Sequence, residues 1–432
     1  MTQNSNNPNL YLKLLFTKLI SQSLILGIIL GLFVKQFFSF NSVSLFAYVE
    51  VSLIFTFCLG ILTAGHLSEN QGRIFLVRCV WVLLSLLLLL LSITPWFGVI
   101  WIELALSFFA IGAFITLLPV YSAECAPSLS RGAWVISNFL ALLLGVSLFV
   151  ILDFKLQWAP WIECLLASGL SLMAFILSCY LAESPAWLLE QARIEEAKEV
   201  LEQLRLAEEI TKEIAVMKSS IRRRPRTWQL IYERQLRNKF KVSRYLAVFR
   251  QLTGVGVILL YLPQLFLDRW PVTSGVLWIL IFISVSTGLL FAAIYVDSVG
   301  RRTLTTFSFL TQTILLLALL TLSQFKSQFV NFDLYEMLLI LSFLFFFALG
   351  AGPVTWLSWI ELMPLRSRVR YLATFLLISL ILGIISWLIY YVVINLAGIQ
   401  WFYAIAAFFA FIATFYCWYK MPETKNYLLD EI

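Results

Sequence analysis

Charge is scarce in this sequence. Acidic and basic side chains together make up 13% of its 432 residues, about half the share usual in a soluble domain. So few charges cannot cover a soluble globule of this length, which excludes a cytosolic enzyme and a disordered chain. Histidine is rarer still: His66 is the only one, and without an acid or thiol cluster around it a membrane metalloenzyme is not expected. The six cysteines, Cys58, Cys79, Cys125, Cys164, Cys179 and Cys417, show no paired ligand spacing. They read as small apolar packing residues, with neither a disulfide framework nor a metal site. No cofactor is expected, and no nucleophile–base–acid set appears that would make the chain an enzyme.

What the sequence has instead is apolar length. Hydrophobic residues make up 61% of the chain, and a membrane span needs about 20 consecutive ones. Twelve runs meet that requirement: Leu12–Val34, Ser44–Gly65, Ile74–Pro95, Phe97–Tyr121, Gly132–Ile151, Trp158–Leu181, Tyr245–Leu267, Val272–Val296, Thr303–Leu322, Tyr335–Ser358, Tyr371–Leu396 and Ile399–Tyr419. The expected fold is an all-α membrane protein with twelve transmembrane helices in two pseudo-symmetric six-helix halves. The halves are residues 1–181 and 245–432, joined by a cytoplasmic helical insert at 182–244. Gly27-x-x-x-Gly31 in the first span permits close helix packing, expected within the bundle rather than between copies, so a functional monomer is expected.

The net charge of +7 is explained by topology. With both termini inside, only Lys35, Lys155, Arg269 and Lys326 of the 31 basic residues fall on the outer side, which predicts cytoplasmic termini and a cell-membrane location. Membrane lipid is therefore the expected macromolecular surroundings, and no nucleic-acid partner is needed. In the insert, Trp187 to Ser219 reads as helix. Glu195/Lys198 and Glu208/Lys212 are spaced for ion pairs, with Leu188, Ile194, Leu201, Leu204 and Ile210 as an apolar stripe. Pro225 breaks the helix inside a basic run at Arg222–Arg226, read as an inner-leaflet anchor.

The two halves repeat one design. Glu124-x-x-Pro127-x-x-x-Arg131 follows the fourth span, and Glu361-x-x-Pro364-x-x-x-Arg368 follows the tenth, 237 residues later. Glu69 and Gly72-Arg73 after the second span correspond to Asp297 and Gly300-Arg301-Arg302 after the eighth, 228 residues on. Glu183-Ser184-Pro185 closes the sixth span, and Pro422-Glu423-Thr424-Lys425 the twelfth, with an offset of 240 between the two glutamates. Near-constant offsets indicate the parallel repeats of alternating-access transporters. Glycine allows a tight turn between spans, and arginine can fork a carboxylate on a neighbouring helix. Glu69, Arg73, Glu124, Arg131, Glu183, Asp297, Arg301, Arg302, Glu361, Arg368 and Glu423 are the gating candidates. Pairs crossing between the halves would form only when the inner mouth is shut.

Tyr121-Ser122-Ala123-Glu124-Cys125-Ala126-Pro127, Glu183-Ser184-Pro185-Ala186-Trp187-Leu188, Gln251-Leu252-Thr253-Gly254, Gly352-Pro353-x-x-Trp356 and Pro422-Glu423-Thr424-Lys425 together resemble the sugar porter family of the major facilitator superfamily. The resemblance runs from about Gly65 to Lys425. It implies movement of a hexose, pentose or polyol around a midplane site. It assigns Gln251 to a sugar hydroxyl, Tyr261 to outer closure and Trp356 to the cavity wall, where the ring can pack on a sugar's C–H face.

The chain also departs from the family pattern. Arg250 stands where a glutamine is usual, Gly256 where an asparagine is. The fifth-helix glutamine falls on Phe139 with Asn138 beside it, the eighth-helix asparagine near Val285, and the eleventh-helix asparagine near Ser379. Ala186 replaces an arginine of the Glu-Ser-Pro-Arg motif, and the first Gly-Arg-Arg motif keeps only Arg73, so a thinner inner gate is expected on the N-terminal half. Arg250, Asn138 and Ser379 join Gln251, Trp356 and Tyr261 as substrate-site candidates. The first span lacks the aspartate common in proton-coupled members, and Leu104 stands at the matching fourth-helix arginine. Facilitated transport is therefore expected over symport, although Glu50, Glu103 and Glu163 lie near outer span ends. Two other readings stay open: a carrier of another small solute, such as an acidic sugar or organic anion, and a non-transporting nutrient sensor.

Overall fold

The computed structural model describes residues 8–39, 43–94, 97–205, 207–222, 234–260, 274–325, 331–427 and 429. The first six long helices are α1 (Pro8–Ser39), α2 (Val43–Gln71), α3 (Arg73–Ile93), α4 (Phe97–Cys125), α5 (Arg131–Leu156) and α6 (Pro160–Cys179). The insert forms α7 (Pro185–Glu190), α8 (Ile194–Leu204) and α9 (Ala207–Arg222). The rest comprises α10 (Arg234–Leu252), α11 (Val255–Leu260), α12 (Ser274–Val299), α13 (Arg301–Gln324), α14 (Phe332–Phe346), α15 (Pro353–Leu362), α16 (Arg368–Ala397) and α17 (Ile399–Lys420). Among the described residues eleven helical stretches are long and apolar enough to cross a membrane. The expected seventh span, Tyr245–Leu267, begins in α10 and α11 and continues into residues outside the described set, where Tyr261 also lies.

Over its second half the last of these helices sorts its faces by size rather than polarity. Along α17 the buried positions include Ala406, Ala407, Ala410, Ala413 and Cys417, while Phe408, Phe411, Phe415 and Tyr419 are exposed. Without water to drive helices together, small residues let backbones approach while bulky ones face lipid. Of the cysteines read as small apolar packing residues, Cys125, Cys164 and Cys417 are buried, whereas Cys79 and Cys179 lie on the exposed surface.

The chain divides into two compact units. Unit 1 comprises Met1–Thr227, Met363–Thr374 and Tyr427–Ile432; unit 2 comprises Trp228–Leu362 and Phe375–Asn426. In unit 1, α1 packs on α5, α2 on α4 and α3 on α6. A Cβ on Gly27 would stand 1.9 Å from the Leu142 carbonyl oxygen, and one on Gly145 2.2 Å from that of Leu24. The first-span glycine motif thus serves contact between α1 and α5. In unit 2, α12 packs on α14 and α13 on α17, the counterparts of α2 on α4 and α3 on α6. Ile258, Leu277, Phe343, Tyr390, Phe402 and Tyr403 form its core.

The insert is not the single helix expected over Trp187–Ser219. It breaks at Ala192, whose φ is 62°, and again at Arg205. There the side chain leaves the helix to donate to the Cys125 and Ala126 carbonyls at 3.0 and 2.8 Å and to pair with Glu213 at 2.9 Å. Satisfying the open C-terminal carbonyls of α4 outweighs continuing α8. Leu188, Leu201, Leu204 and Ile210 are buried as the stripe expects, but Ile194 is exposed. Among the described residues the exposed ion pairs of the insert are Arg193–Glu196 and Lys198–Glu202, not Glu195–Lys198. The Glu208 side chain and residues 223–226 of the basic run lie outside the described set.

Candidate functional site

Two buried charge clusters sit where the span-end motifs converge, one in each unit. In unit 2, Gly300 has a φ of 102° and turns the chain into α13. Glu423 accepts from the first amides of that helix, Arg301 N at 2.9 Å and Arg302 N at 3.1 Å. A carboxylate here satisfies open N–H groups and meets the positive end of the helix dipole. The Arg301 side chain is fully buried. It forks Glu361 through Nη2 at 2.9 Å and Nε at 3.2 Å, pairs with Asp297 at 2.9 Å and donates to the Val296 carbonyl at 3.3 Å. Thr424 donates to Glu361 as well. Arg302 lies outside this cluster, its guanidinium 5.4 Å from the Trp418 ring centroid.

Unit 1 builds the same object from the other half of the repeat. Gly72 has a φ of 94°, and Glu183 accepts from Arg73 N at 2.9 Å and Ile74 N at 3.1 Å. Arg73, also fully buried, approaches Glu124 at 3.4 Å and donates to the Ser68 carbonyl at 3.1 Å. Ser184 donates to Glu124 as Thr424 does to Glu361. A buried arginine is tolerated because its charge is paired, which here leaves Arg73 Nε without a hydrogen-bond acceptor among the described residues.

The clusters differ most in what the carboxylates receive from elsewhere. In unit 1 the Glu124 carboxylate also receives Arg368, which is buried and 3.3 Å away. Arg370 pairs with Glu69 beside it. Arg368 of the second loop motif thus reaches Glu124 of the first, and Arg370, two residues further on, reaches Glu69 at the end of the second span. Arg131, the counterpart of Arg368, donates to the Tyr427 carbonyl at 3.0 Å. Arg370, Ser184, Thr424 and Arg205 were missed from sequence. For Ser184 and Thr424 a signal existed, since they share the 240-residue offset of Glu183 and Glu423.

The substrate candidates of unit 2 gather at a break in the helical frame. After Arg250 and Gln251, α10 ends at Leu252, and Gly254, with φ 76°, leads into α11. The Gln251 amide donates to Ser379 Oγ at 2.7 Å, and Arg250 Nη1 reaches the same oxygen at 3.4 Å. The Arg250 guanidinium lies 5.7 Å from the Trp356 ring centroid and 5.8 Å from that of Phe347. Phe347 begins a π-helical turn, Phe347–Ala351, in which Gly352 N donates to the Phe347 carbonyl at 2.9 Å. Pro353 follows and has no amide to continue the ladder. Ser308 Oγ accepts from Ala351 N at 2.9 Å, holding the turn. Such turns recur at functional sites. Every residue of α15 is buried except Trp356.

In unit 1, Asn138 is buried and saturated. It donates to Ser122 Oγ at 2.8 Å and the Trp134 carbonyl at 2.9 Å, and accepts from Ser23 at 3.0 Å. Among the outer-end acids, Glu103 and Glu163 are buried, and Glu103 accepts from Thr94 at 3.1 Å. A further buried acid, Glu336, accepts from the Tyr403 hydroxyl at 3.2 Å. The Glu50 side chain is outside the described set.

Comparison with known proteins identifies this architecture. The family model described as "Sugar (and other) transporter" matches residues 28–432, and the chain belongs to that family of integral membrane transporters. It is 27% identical over 412 residues to the putative metabolite transport protein YwtG of Bacillus subtilis (strain 168), covering 94% of this chain and 90% of that one. It is 25% identical over 418 residues to the glucose transporter GlcP of Staphylococcus epidermidis, covering 94% and 92%. Among solved structures, the proton:xylose symporter XylE, bound to 6-bromo-6-deoxy-D-glucose, superposes with a TM-score of 0.85 at 20% identity, over 99% of both chains. The fold is the twelve-helix fold of the major facilitator superfamily.

Proposed function

We propose that this protein carries a sugar or polyol across the cell membrane by alternating access, as a facilitator. The observation that carries the reading is the charge cluster built twice, Arg73–Glu124–Glu183 and Arg301–Glu361–Glu423, with Arg368 of the second loop motif on Glu124 of the first. A static anchor needs no partner drawn from the other half of the sequence. A contact that is made and broken between two states does. We assign Gln251, Ser379, Trp356 and Arg250 to substrate, and Tyr261 to outer closure. Asn138, with its amide hydrogens occupied, is assigned to helix packing. Both termini and the insert at 182–244 are placed in the cytoplasm.

Facilitation is supported by α1, which contains no acidic residue, and by Leu104 in the fourth span. The test is uptake into proteoliposomes with a panel of hexoses, pentoses and polyols, with binding measured in parallel. Saturable uptake without a pH change is expected. Binding without flux would make the protein a sensor. Alkalinisation of the medium on substrate addition, lost in Glu103→Gln, would make it a symporter.

A further inference from the structure

Four of the five buried arginines among the described residues meet acids. Arg73 and Arg368 reach Glu124, Arg205 reaches Glu213 and Arg301 reaches Glu361. The partly accessible Arg250 does not: among the described residues no carboxylate lies within ion-pair distance of it. Its Nε has no acceptor among them, and its one side-chain hydrogen bond is the 3.4 Å contact to a serine oxygen already taken by Gln251 at 2.7 Å. It is too deep for a simple surface position, lying six residues and about 9 Å along the helix from Arg244. Yet it is not sealed in. Arg250, Gln251, Trp356 and Phe347 all keep part of their surface accessible.

An uncompensated cation in a span is costly, and it persists where water or a ligand supplies the missing charge. The surroundings describe that ligand. Two aromatic rings lie within cation–π range of the guanidinium, and ring contacts leave its planar N–H edge able to fork two oxygens. The Gln251 amide beside it both donates and accepts, which suits hydroxyls. The accessible Trp356 ring suits the C–H face of a sugar. One guanidinium balances one negative charge, which matches a carboxylate better than a phosphate dianion.

We propose that Arg250 makes this a site for a sugar acid, a uronate or aldonate whose carboxylate pairs with the guanidinium while Gln251 and Trp356 hold the polyhydroxylated chain. This rests on the transporter reading of the same site and narrows its substrate.

The test is direct binding to the purified full-length protein in nanodiscs. The ligands are D-glucose, D-xylose, D-sorbitol, D-glucuronate, D-gluconate and D-glucose 6-phosphate, with sodium acetate as the charge-only control. A charge-assisted pair corresponds to a preference of about tenfold or more, so glucuronate or gluconate is expected to bind at least about tenfold tighter than glucose. Arg250→Gln should reverse the order, and Arg250→Lys should keep part of it. Glucose, xylose or sorbitol binding as tightly as the acids overturns the inference, even if Arg250→Gln fails to fold, and leaves the transporter reading standing. So does an acid preference that survives Arg250→Gln. Tighter binding of glucose 6-phosphate, or acetate binding as well as glucuronate, also overturns the sugar-acid assignment. Binding and uptake of none of the compounds removes both readings.

Discussion

Glycines at φ near +100° and ψ near 160° occupy a region open to almost no other residue, at a cost of order 1–3 kcal/mol for a substitution. Gly300 and Gly398 both lie there, with φ of 102° and 94°, but their surroundings differ. A Cβ at Gly300 would stand 2.6 Å from Glu423 Oε2, whereas nothing lies within 4 Å of one at Gly398. Both alanine variants should lose stability, and Gly300→Ala should lose more because it also displaces the carboxylate that caps α13. Thermal unfolding in detergent compares them; equal melting temperatures would mean that Glu423 swings aside freely. At this scale the motif glycines and glutamates were legible in sequence. That Glu183 and Glu423 cap helix N-termini, while Glu124 and Glu361 receive the arginine side chains, was not, because all four are glutamates at span ends.

At the scale of elements, breaks carry much of the site. The insert divides at Arg205, whose side chain ties it to the end of α4. Arg205→Ala removes two hydrogen bonds to carbonyls and leaves Glu213 buried without its arginine, a loss of about 3–5 kcal/mol by analogy with other broken buried pairs. That cost should fall on the insert rather than on the spans. Limited proteolysis should cleave Arg205→Ala between residues 190 and 234 faster than the parent, with the melting temperature of the spans little changed; cleavage at the parental rate would show that other contacts hold the insert. Hydropathy located the insert and four of the five residues of its apolar stripe. It could not foresee the break, because Arg205 meets Cys125 across 80 residues of sequence.

On the scale of the whole molecule, the asymmetry of the two clusters matters most. Glu361 is forked by Arg301 from its own half of the sequence, whereas Glu124 receives Arg73 at 3.4 Å and Arg368 at 3.3 Å. In the N-terminal half the internal pair is looser and is supplemented by a residue from the other half of the sequence. If that contact gates, Arg368→Ala should favour the inward-open state and increase labelling of cysteines introduced at the inner mouth, while binding measured from the inside stays level or tightens. Unchanged labelling together with lost membrane insertion would reduce Arg368 to a topology signal.

The sequence by itself determined the all-helical membrane class, the duplicated halves, the motif pairs and the family. Apolar run length, loop charge and repeat offset are properties of the chain read in one dimension, and they hold however the helices pack. Only the tertiary structure decided which arginine meets which glutamate, that the Asn138 amide is consumed by Ser122 and Trp134, and that Arg250 stands beside Trp356 and Phe347 with no acid paired to it among the described residues. Most of those facts depend on residues from different helices, 16 to 244 positions apart, being brought within a few ångströms. Side-chain partners are chosen by helix rotation and by the π turn before Pro353, which hydropathy does not encode.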